Sequence, residues 1–303
     1  MAELIDTHTH IYDTNDFGGE ENDIIKRMEE VGVTHAFLPN IDSKSLKDVL
    51  KFEALAPSKL HPLIGLHPEN VNEDWRNELD LILNELSNHK YYGIGEVGID
   101  LYWEQKFKDE QIKVFTEQIA VAISHDLPVI IHCRNGLEDT LACLKKFDRK
   151  KIRGIFHSFT GKIDETEAIK ECGEFKFGIN GIVTFKKSTD LQETVRMMDL
   201  NEIVLETDSP YLTPVPFRGK RNETAYIKYV AEKIAEIKGR KFDEIAEITS
   251  KTATISLAGS SYTMITITVK SEAFLIVLHG KYQHFLLPHG AHLSLTKEKS
   301  SSC

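Results

Sequence analysis

The chain has 303 residues, long for one ordinary domain and normal for one α/β barrel. Apolar residues make up 41% of it, ample for a core, and the formal net charge of −10 argues against a broad basic surface that grips duplex nucleic acid by counterion release. A small cationic pocket for one phosphate is compatible with that balance.

The N-terminus, Met1-Ala2-Glu3-Leu4-Ile5-Asp6, reads as the start of a strand rather than a basic leader. Cys133, Cys143, Cys172 and Cys303 form no CxxC or framework spacing and read as reduced thiols, which places the chain in the cytoplasm. Nothing before the C-terminal tail is long and apolar enough to span a bilayer. In chain order the apolar runs are Leu4-Ile5, Ala36-Phe37-Leu38, Leu63-Ile64-Gly65-Leu66, Gly93-Ile94-Gly95, Pro128-Val129-Ile130-Ile131, Gly154-Ile155-Phe156, Phe175-Lys176-Phe177-Gly178-Ile179 and Ile203-Val204-Leu205. Between them lie helical patterns, among them Asn22–Val31, Asp74–Ser87, Lys108–His125, Gly136–Phe147, Ile163–Cys172 and Thr189–Met198. Near-continuous apolar runs imply strands buried on both faces, hence a parallel sheet covered by helices. Eight such units predict the α/β class and a (β/α)8 TIM barrel. A doubly wound open sheet would usually carry a glycine-rich phosphate loop after its first strand, where this chain has histidines.

Glu223–Lys238 reads as the eighth barrel helix and Phe242–Ser250 as a further short one. After about Lys251 the chain becomes rich in Ser, Thr, Leu and His, so the expected division is a barrel domain over residues 1–252 and a tail of unassigned role over 253–303. Met264–Val269 and Ala273–Leu278 look β-forming; His279, His284, His289 and His292 are too irregularly spaced to suggest a metal site.

The residues just after the apolar runs are His8 and His10, Asn40, His67, Glu96, His132, His157, Asn180 and Asp208, spaced 23 to 36 residues from one run to the next. In a TIM barrel the strand C-termini converge on one face, so residues distant in sequence become neighbours there. His8 and His10 stand two apart on extended chain and point to the same side. Glu96 is followed closely by Gly98, where backbone or ligand can approach. Singly, His132 or His157 would more often be a satisfied core histidine. Glu206 and Asp208, beside a buried strand, need a cationic partner. Together His8, His10, Glu96, His132, His157 and Asp208 are enough for a centre of two divalent cations, which can clamp the attacking and leaving oxygens of a hydrolysis.

The stretches Asp6-Thr7-His8-Thr9-His10, Gly65-Leu66-His67-Pro68, Gly95-Glu96-Val97-Gly98-Ile99-Asp100, Ile131-His132-Cys133-Arg134, Phe156-His157-Ser158-Phe159-Thr160-Gly161, Glu206-Thr207-Asp208-Ser209-Pro210-Tyr211 and Arg218-Gly219-Lys220-Arg221-Asn222 resemble, in order, those of the TatD family of metal-dependent hydrolases, best known as deoxyribonucleases. The resemblance covers roughly residues 1–250 and implies a barrel of the amidohydrolase-like superfamily. By it, His8, His10 and Asp208 bind one ion, His132 and His157 the other, and Glu96 touches one or both. The C-terminus departs from the family, whose members end with a Thr-rich helix soon after the Phe242–Ser250 region.

The expected activity is hydrolysis of phosphodiesters, as a 3′–5′ exonuclease on single-stranded DNA, with RNA as a further substrate. Asp208 and Glu96 are the expected catalytic residues: Asp208 orients or deprotonates the attacking water, and Glu96 holds the ions together. Arg134, two residues after His132, is placed for a phosphate oxygen. His67, Lys220 and Arg221 are further candidate substrate contacts, the last two in the loop after strand eight where barrels often bind phosphate. Tyr102 and Trp103 suit either base stacking or packing. Histidine-rich ligation suits zinc or manganese, whereas the resemblance implies magnesium. Expected partners are DNA ends or short single strands, with no membrane and no obligate protein partner. Two other readings stand beside this one: an amidohydrolase-type enzyme acting on another ester or amide, and a non-catalytic quality-control scaffold. Strand four ends at Glu96 with no lysine in reach to bridge metals as a carbamate, which favours the phosphodiesterase branch.

Overall fold

The computed structural model describes residues 2–103 and 105–257 in full, and beyond them the backbone of 262–269, 272–279 and 292–294. The chain divides into two compact units, Met1–Leu257 and Ala258–Cys303.

The first unit is a TIM barrel. Its strands are β1 (Leu4–Asp6), β2 (Val33–Pro39), β3 (Leu60–Leu63), β4 (Ile94–Asp100), β5 (Val129–Arg134), β6 (Arg153–Phe156), β7 (Glu174–Ile179) and β8 (Ile203–Leu205). All their ladders are parallel, in the orders β1-β2-β3 and β4-β5-β6-β7-β8. Two seams join these arcs. Ile64 bridges Ile94, with Gly95 N donating to Ile64 O at 2.9 Å. Across the other seam Thr7 N donates to Leu205 O at 3.0 Å and Asp208 N to His8 O at 2.9 Å.

The helices are α1 (Thr14–Phe17), α2 (Glu21–Glu30), α3 (Ser45–Glu53), α4 (Trp75–Asn84), α5 (Lys108–Ser124), α6 (Leu137–Leu144), α7 (Ile163–Lys170), α8 (Thr189–Met197), α9 (Ile227–Lys238) and α10 (Phe242–Leu257). The longer ones bury an apolar face. Thus α2 buries Ile24, Ile25 and Met28, and α5 buries Val114, Phe115, Ile119 and Ala122. Fully burying one such side chain contributes about 1.5–3 kcal/mol.

Inside the barrel, Ile5, Phe37, Leu63, Ile130, Ile155 and Val204 pack with Ala253 and Leu257 of α10. These strand residues precede the polar ones in sequence, so α10 closes the N-terminal end and leaves the C-terminal end open. Ser250 Oγ donates to Glu3 O at 2.9 Å and ties α10 beside the start of β1.

Four boundaries at the site and the barrel floor differ from the sequence reading. β4 and β5 run on to Asp100 and Arg134, so Glu96 and His132 lie within strands rather than after them. β3 ends at Leu63, before most of the apolar run assigned to it. The helix expected over Phe242–Ser250 continues to Leu257. Its Ser and Thr hydroxyls, at Thr249, Thr252, Thr254 and Ser256, donate to carbonyls four residues back, and the barrel floor covers Ala253 and Leu257.

In the second unit β9 (Tyr262–Val269) lies between β10 (Glu272–His279) and β11 (His292–Ser294), antiparallel to both. The two runs read as β-forming fall in β9 and β10. His284, His289 and Cys303 lie outside the described residues. Among the described residues no helix is long and apolar enough to cross a membrane.

Candidate metal centre

At the open end of the barrel a cleft of about 900 Å³ is lined by His10, His67, Glu96, His132, His157 and Asp208, with His8 beneath them. Glu96 is the hub. Its Oε2 lies 3.1 Å from His8 Nε2 and 3.7 Å from His10 Nε2. Its Oε1 lies 2.8 Å from His132 Nδ1, 3.3 Å from His67 Nε2 and 3.6 Å from His157 Nε2. Asp208 Oδ1 sits 3.7 Å from His10 and from His157, and 3.8 Å from His8. The structure thus brings together His8, His10, His67, Glu96, His132, His157 and Asp208. Three groups have ligand atoms close enough to share one ion: His8, Glu96 and His157; His8, His10 and Asp208; and His67, Glu69 and His132.

Neighbouring residues decide which ring nitrogen faces the cleft. Tyr12 Oη donates its hydrogen to Pro39 O at 2.6 Å, so it must accept from His10 Nδ1 at 2.9 Å. His10 Nε2 then carries the lone pair, turned toward Glu96 and Asp208. His132 Nε2 donates to Asp100 Oδ2 at 2.9 Å, which leaves Nδ1 for Glu96. His157 Nδ1 faces Glu206 Oε2 at 3.1 Å, which leaves Nε2 for the cleft. Glu206 Oε1 accepts from Ser158 N at 2.7 Å and Asn180 Nδ2 at 3.2 Å. Carboxylates behind ligating histidines fix orientation and raise basicity.

The backbone is shaped for this. Asp208 has φ 55° and Ser158 φ 48°, a left-handed conformation that short polar side chains tolerate. At Gly98, φ is 153° and an added Cβ would lie 1.9 Å from His132 O, so only glycine lets β4 approach β5 there. Asn40 Oδ1 accepts from Gly65 N at 2.8 Å and Nδ2 donates to Asp42 O at 2.9 Å, which assigns Asn40 to joining strand ends.

The electrostatics fit a cation. Burial lowers His157, but Glu206, Glu96 and Asp208 outweigh it and hold it up at about 10. Burial likewise opposes His132, yet its bonds to Asp100 and Glu96 hold it at about 9. Burial pushes His10 down to about 4 and His8 well below its ordinary range. Burial also pushes Asp208 up to about 7. Glu96 is held well below the carboxylate range despite burial, because His67, His8 and His157 face it. No lysine or arginine lies among these atoms in the described residues, so the site's carboxylates hold protons on imidazoles where cations would serve.

The other expected contacts are spread out. Arg134 lines the cleft, its Cζ 3.8 Å from the Tyr102 ring centroid. Arg221 instead pairs with Glu20 at 2.9 and 2.8 Å and lies over Phe17. Lys220 lies over the Phe217 ring at 5.6 Å. Neither is part of the cleft lining. His67 belongs with Glu96 and His132 rather than to an outer rim. The sequence reading passed over Tyr12 and Asp100. For Asp100 a signal existed, since it stands four residues beyond Glu96 on the same strand and so on the same side; Tyr12 lies in a turn after His10, where alternation gives no such signal.

A parallel barrel whose strand ends converge on histidines and carboxylates defines a metal-dependent hydrolase. The profile of the family described as TatD related DNase matches residues 5–256, and the chain belongs to that family. It is 38% identical over 257 residues to the uncharacterized metal-dependent hydrolase YabD of Bacillus subtilis, covering 82% of this chain and 97% of the relative. It is 28% identical over 243 residues to the 3′-5′ ssDNA/RNA exonuclease TatD of Erwinia tasmaniensis, covering 78% of this chain and 92% of that one. The crystal structure of the TatD homolog YjjV from Escherichia coli superimposes with a TM-score of 0.76 at 26% identity, over 84% of this chain and 98% of that one.

Proposed function

We propose that this chain is a phosphodiesterase of nucleic-acid ends: a 3′–5′ exonuclease on single-stranded DNA, with RNA as a second substrate class, using two divalent cations. The observation that carries the reading is Glu96, with Oε2 3.1 Å from His8 and Oε1 2.8 Å from His132, a carboxylate poised between two histidine groups. In this reading His8, His10 and Asp208 would hold one cation, His132 and His157 the other, and Glu96 would touch both. Such cations lower the pKa of a coordinated water and offset charge on the phosphoryl oxygens.

The chain's own groups do the rest. Tyr12, Asp100 and Glu206 hold His10, His132 and His157 in their ligating tautomers. Asp208 orients the attacking water and takes its proton on its carboxylate. Arg134 and His67 bind the substrate phosphate, and Lys220 adds cationic charge farther out, beside an Arg221 whose charge Glu20 offsets. The name of the Erwinia relative supports the nuclease assignment, and the net charge of −10 favours strand ends over long duplex. The six proposed ligands all belong to the first unit, Met1–Leu257.

The test uses 3′-end-labelled single-stranded DNA with added magnesium or manganese. Asp208→Ala and Glu96→Ala should each cut nucleotide release by roughly 10²–10⁴-fold. Unchanged release in either variant would overturn the two-cation reading. No release by the unaltered chain, beside rapid hydrolysis of another ester, would overturn the nuclease assignment.

A further inference from the structure

One wall of the cleft carries, beside Arg134, two aromatic side chains that the reading above leaves without a part. Tyr102 and Trp103 follow β4 and are 52% and 64% exposed. Their rings meet edge to face, centroids 4.8 Å apart at 87°. The Arg134 guanidinium lies 3.8 Å from the Tyr102 centroid and 5.3 Å from that of Trp103. Trp103 and Arg134 both line the cleft.

This exposure is not that of a loose turn. Asp100 Oδ1 accepts from Tyr102 N at 2.8 Å and Trp103 N at 3.3 Å, while Asp100 Oδ2 accepts from His132 Nε2 at 2.9 Å. Leu101 N donates to Arg134 O at 2.9 Å. The aromatic pair is therefore held in register with His132 by one buried carboxylate. A guanidinium stacked by its face keeps its N–H edges free in the ring plane, so Arg134 can stack on Tyr102 and still meet a phosphate. An aromatic face beside a stacked arginine, next to the reaction centre, suits a group with a flat π-face on one side and a phosphate on the other.

We propose that Tyr102, Trp103 and Arg134 form a stacking platform for an unpaired nucleobase of the substrate strand, with Asp100 setting its distance from His132. The proposal rests on the nuclease reading above. It selects strand ends and single strands, because a base paired within a duplex has no free face to offer. Stacking is tolerant of base identity, so the platform discriminates bases from base-free sugar phosphate rather than one base from another.

The test uses the purified full chain carrying Trp75→Phe, which leaves Trp103 as its one indole, since the chain has two tryptophans. Phosphorothioate oligothymidylate, whose linkages resist hydrolysis, is titrated against it. The control is the same oligomer lacking bases on its three 3′ nucleotides. Indole quenching should saturate with the first, while the base-free oligomer binds roughly tenfold more weakly and leaves the indole unquenched. Trp103→Ala should weaken anisotropy-measured binding of the base-bearing oligomer about tenfold, with Trp103→Phe restoring most of it. Equal binding of both oligomers, or cleavage of ordinary DNA without quenching, would overturn the platform and leave the nuclease reading standing. Failure to bind or cleave any oligonucleotide would overturn both.

Discussion

Glu206 holds Oε2 3.1 Å from His157 Nδ1, at the back of the cleft and out of water. The room for that carboxylate comes from Gly178 on the neighbouring strand, where an added Cβ would lie 2.0 Å from the same oxygen. Gly178→Ala should displace Glu206 and weaken divalent-cation affinity by about 10–100-fold, with overpacking destabilising the fold by about 1–3 kcal/mol. Glu206→Gln, of equal size, should weaken affinity comparably at near-unchanged stability. Titration calorimetry with manganese or zinc, beside thermal unfolding, separates the two. Undiminished affinity in Glu206→Gln would remove Glu206 from any supporting role.

Cation binding should release protons. With His157 at about 10 and His132 at about 9, both rings are protonated at pH 7, and ligation requires each to shed one proton. About two protons from these rings, and a share of a third from Asp208 at about 7, should be released per loaded site at pH 7. Affinity should therefore fall as pH falls, because protons compete for the same nitrogens. Calorimetry in buffers of different ionisation enthalpy counts them; a count near zero would contradict the assignment of both histidines.

Tyr12→Phe should matter although Tyr12 need touch neither cation nor substrate. It removes the acceptor for His10 Nδ1 and the donor to Pro39 O. The expectation is roughly tenfold weaker cation affinity and about 1–3 kcal/mol lost stability. Metal content after dialysis and a denaturant melt measure these; wild-type metal retention would show that the His10 tautomer needs no help.

At the closed end of the barrel His61 is buried against His35, Phe37 and Tyr92, with Lys90 nearby, and burial pushes it down to about 3. His35 is lowered too, first by burial. In the unfolded chain histidine titrates near 6.5, so between pH 6.5 and 3 the unfolded state binds more protons. Stability from His61 is full above pH 6.5 and is lost as pH falls, by up to about 1.4 kcal/mol per pH unit. His61→Phe should flatten the acid limb of a stability–pH curve; an unchanged slope would remove His61 from the acid response.

A chain ending at Leu257 should keep its melting midpoint and metal content, whereas one ending at Lys251 loses Ala253 and Leu257 from the barrel floor. Removing such buried groups costs about 2–5 kcal/mol for a leucine alone. Equal melting of the two would place the boundary nearer residue 252, where the change in composition suggested it.

Much of this was legible because its causes are local. A short apolar run with an imidazole or carboxylate behind it is visible in the chain, and its recurrence once per βα unit says that these residues share one face of a barrel. Strand ends were less legible. β4 and β5 persist past Glu96 and His132 because Gly98 pairs with His132 and Asp100 with Arg134, a register that neither segment contains by itself. Helix α10 outran its expected end because cover for Leu257 comes from Ile5, Phe37 and other residues far away in sequence.

By itself, then, the sequence determined the barrel and its family, and it offered a set of histidines and carboxylates as candidates for one end of that barrel, since residue chemistry and βα periodicity are properties of the chain. Only the tertiary structure decided which groups stand behind them. Asp100 behind His132, Glu206 behind His157 and Tyr12 behind His10 follow from side-chain direction and from contacts between strands. It also drew Arg221 to Glu20 and away from the cleft lining, while leaving Arg134 beside Trp103. A flexible cationic side chain settles against the acid that folding brings within reach, and that choice is made between segments rather than within one.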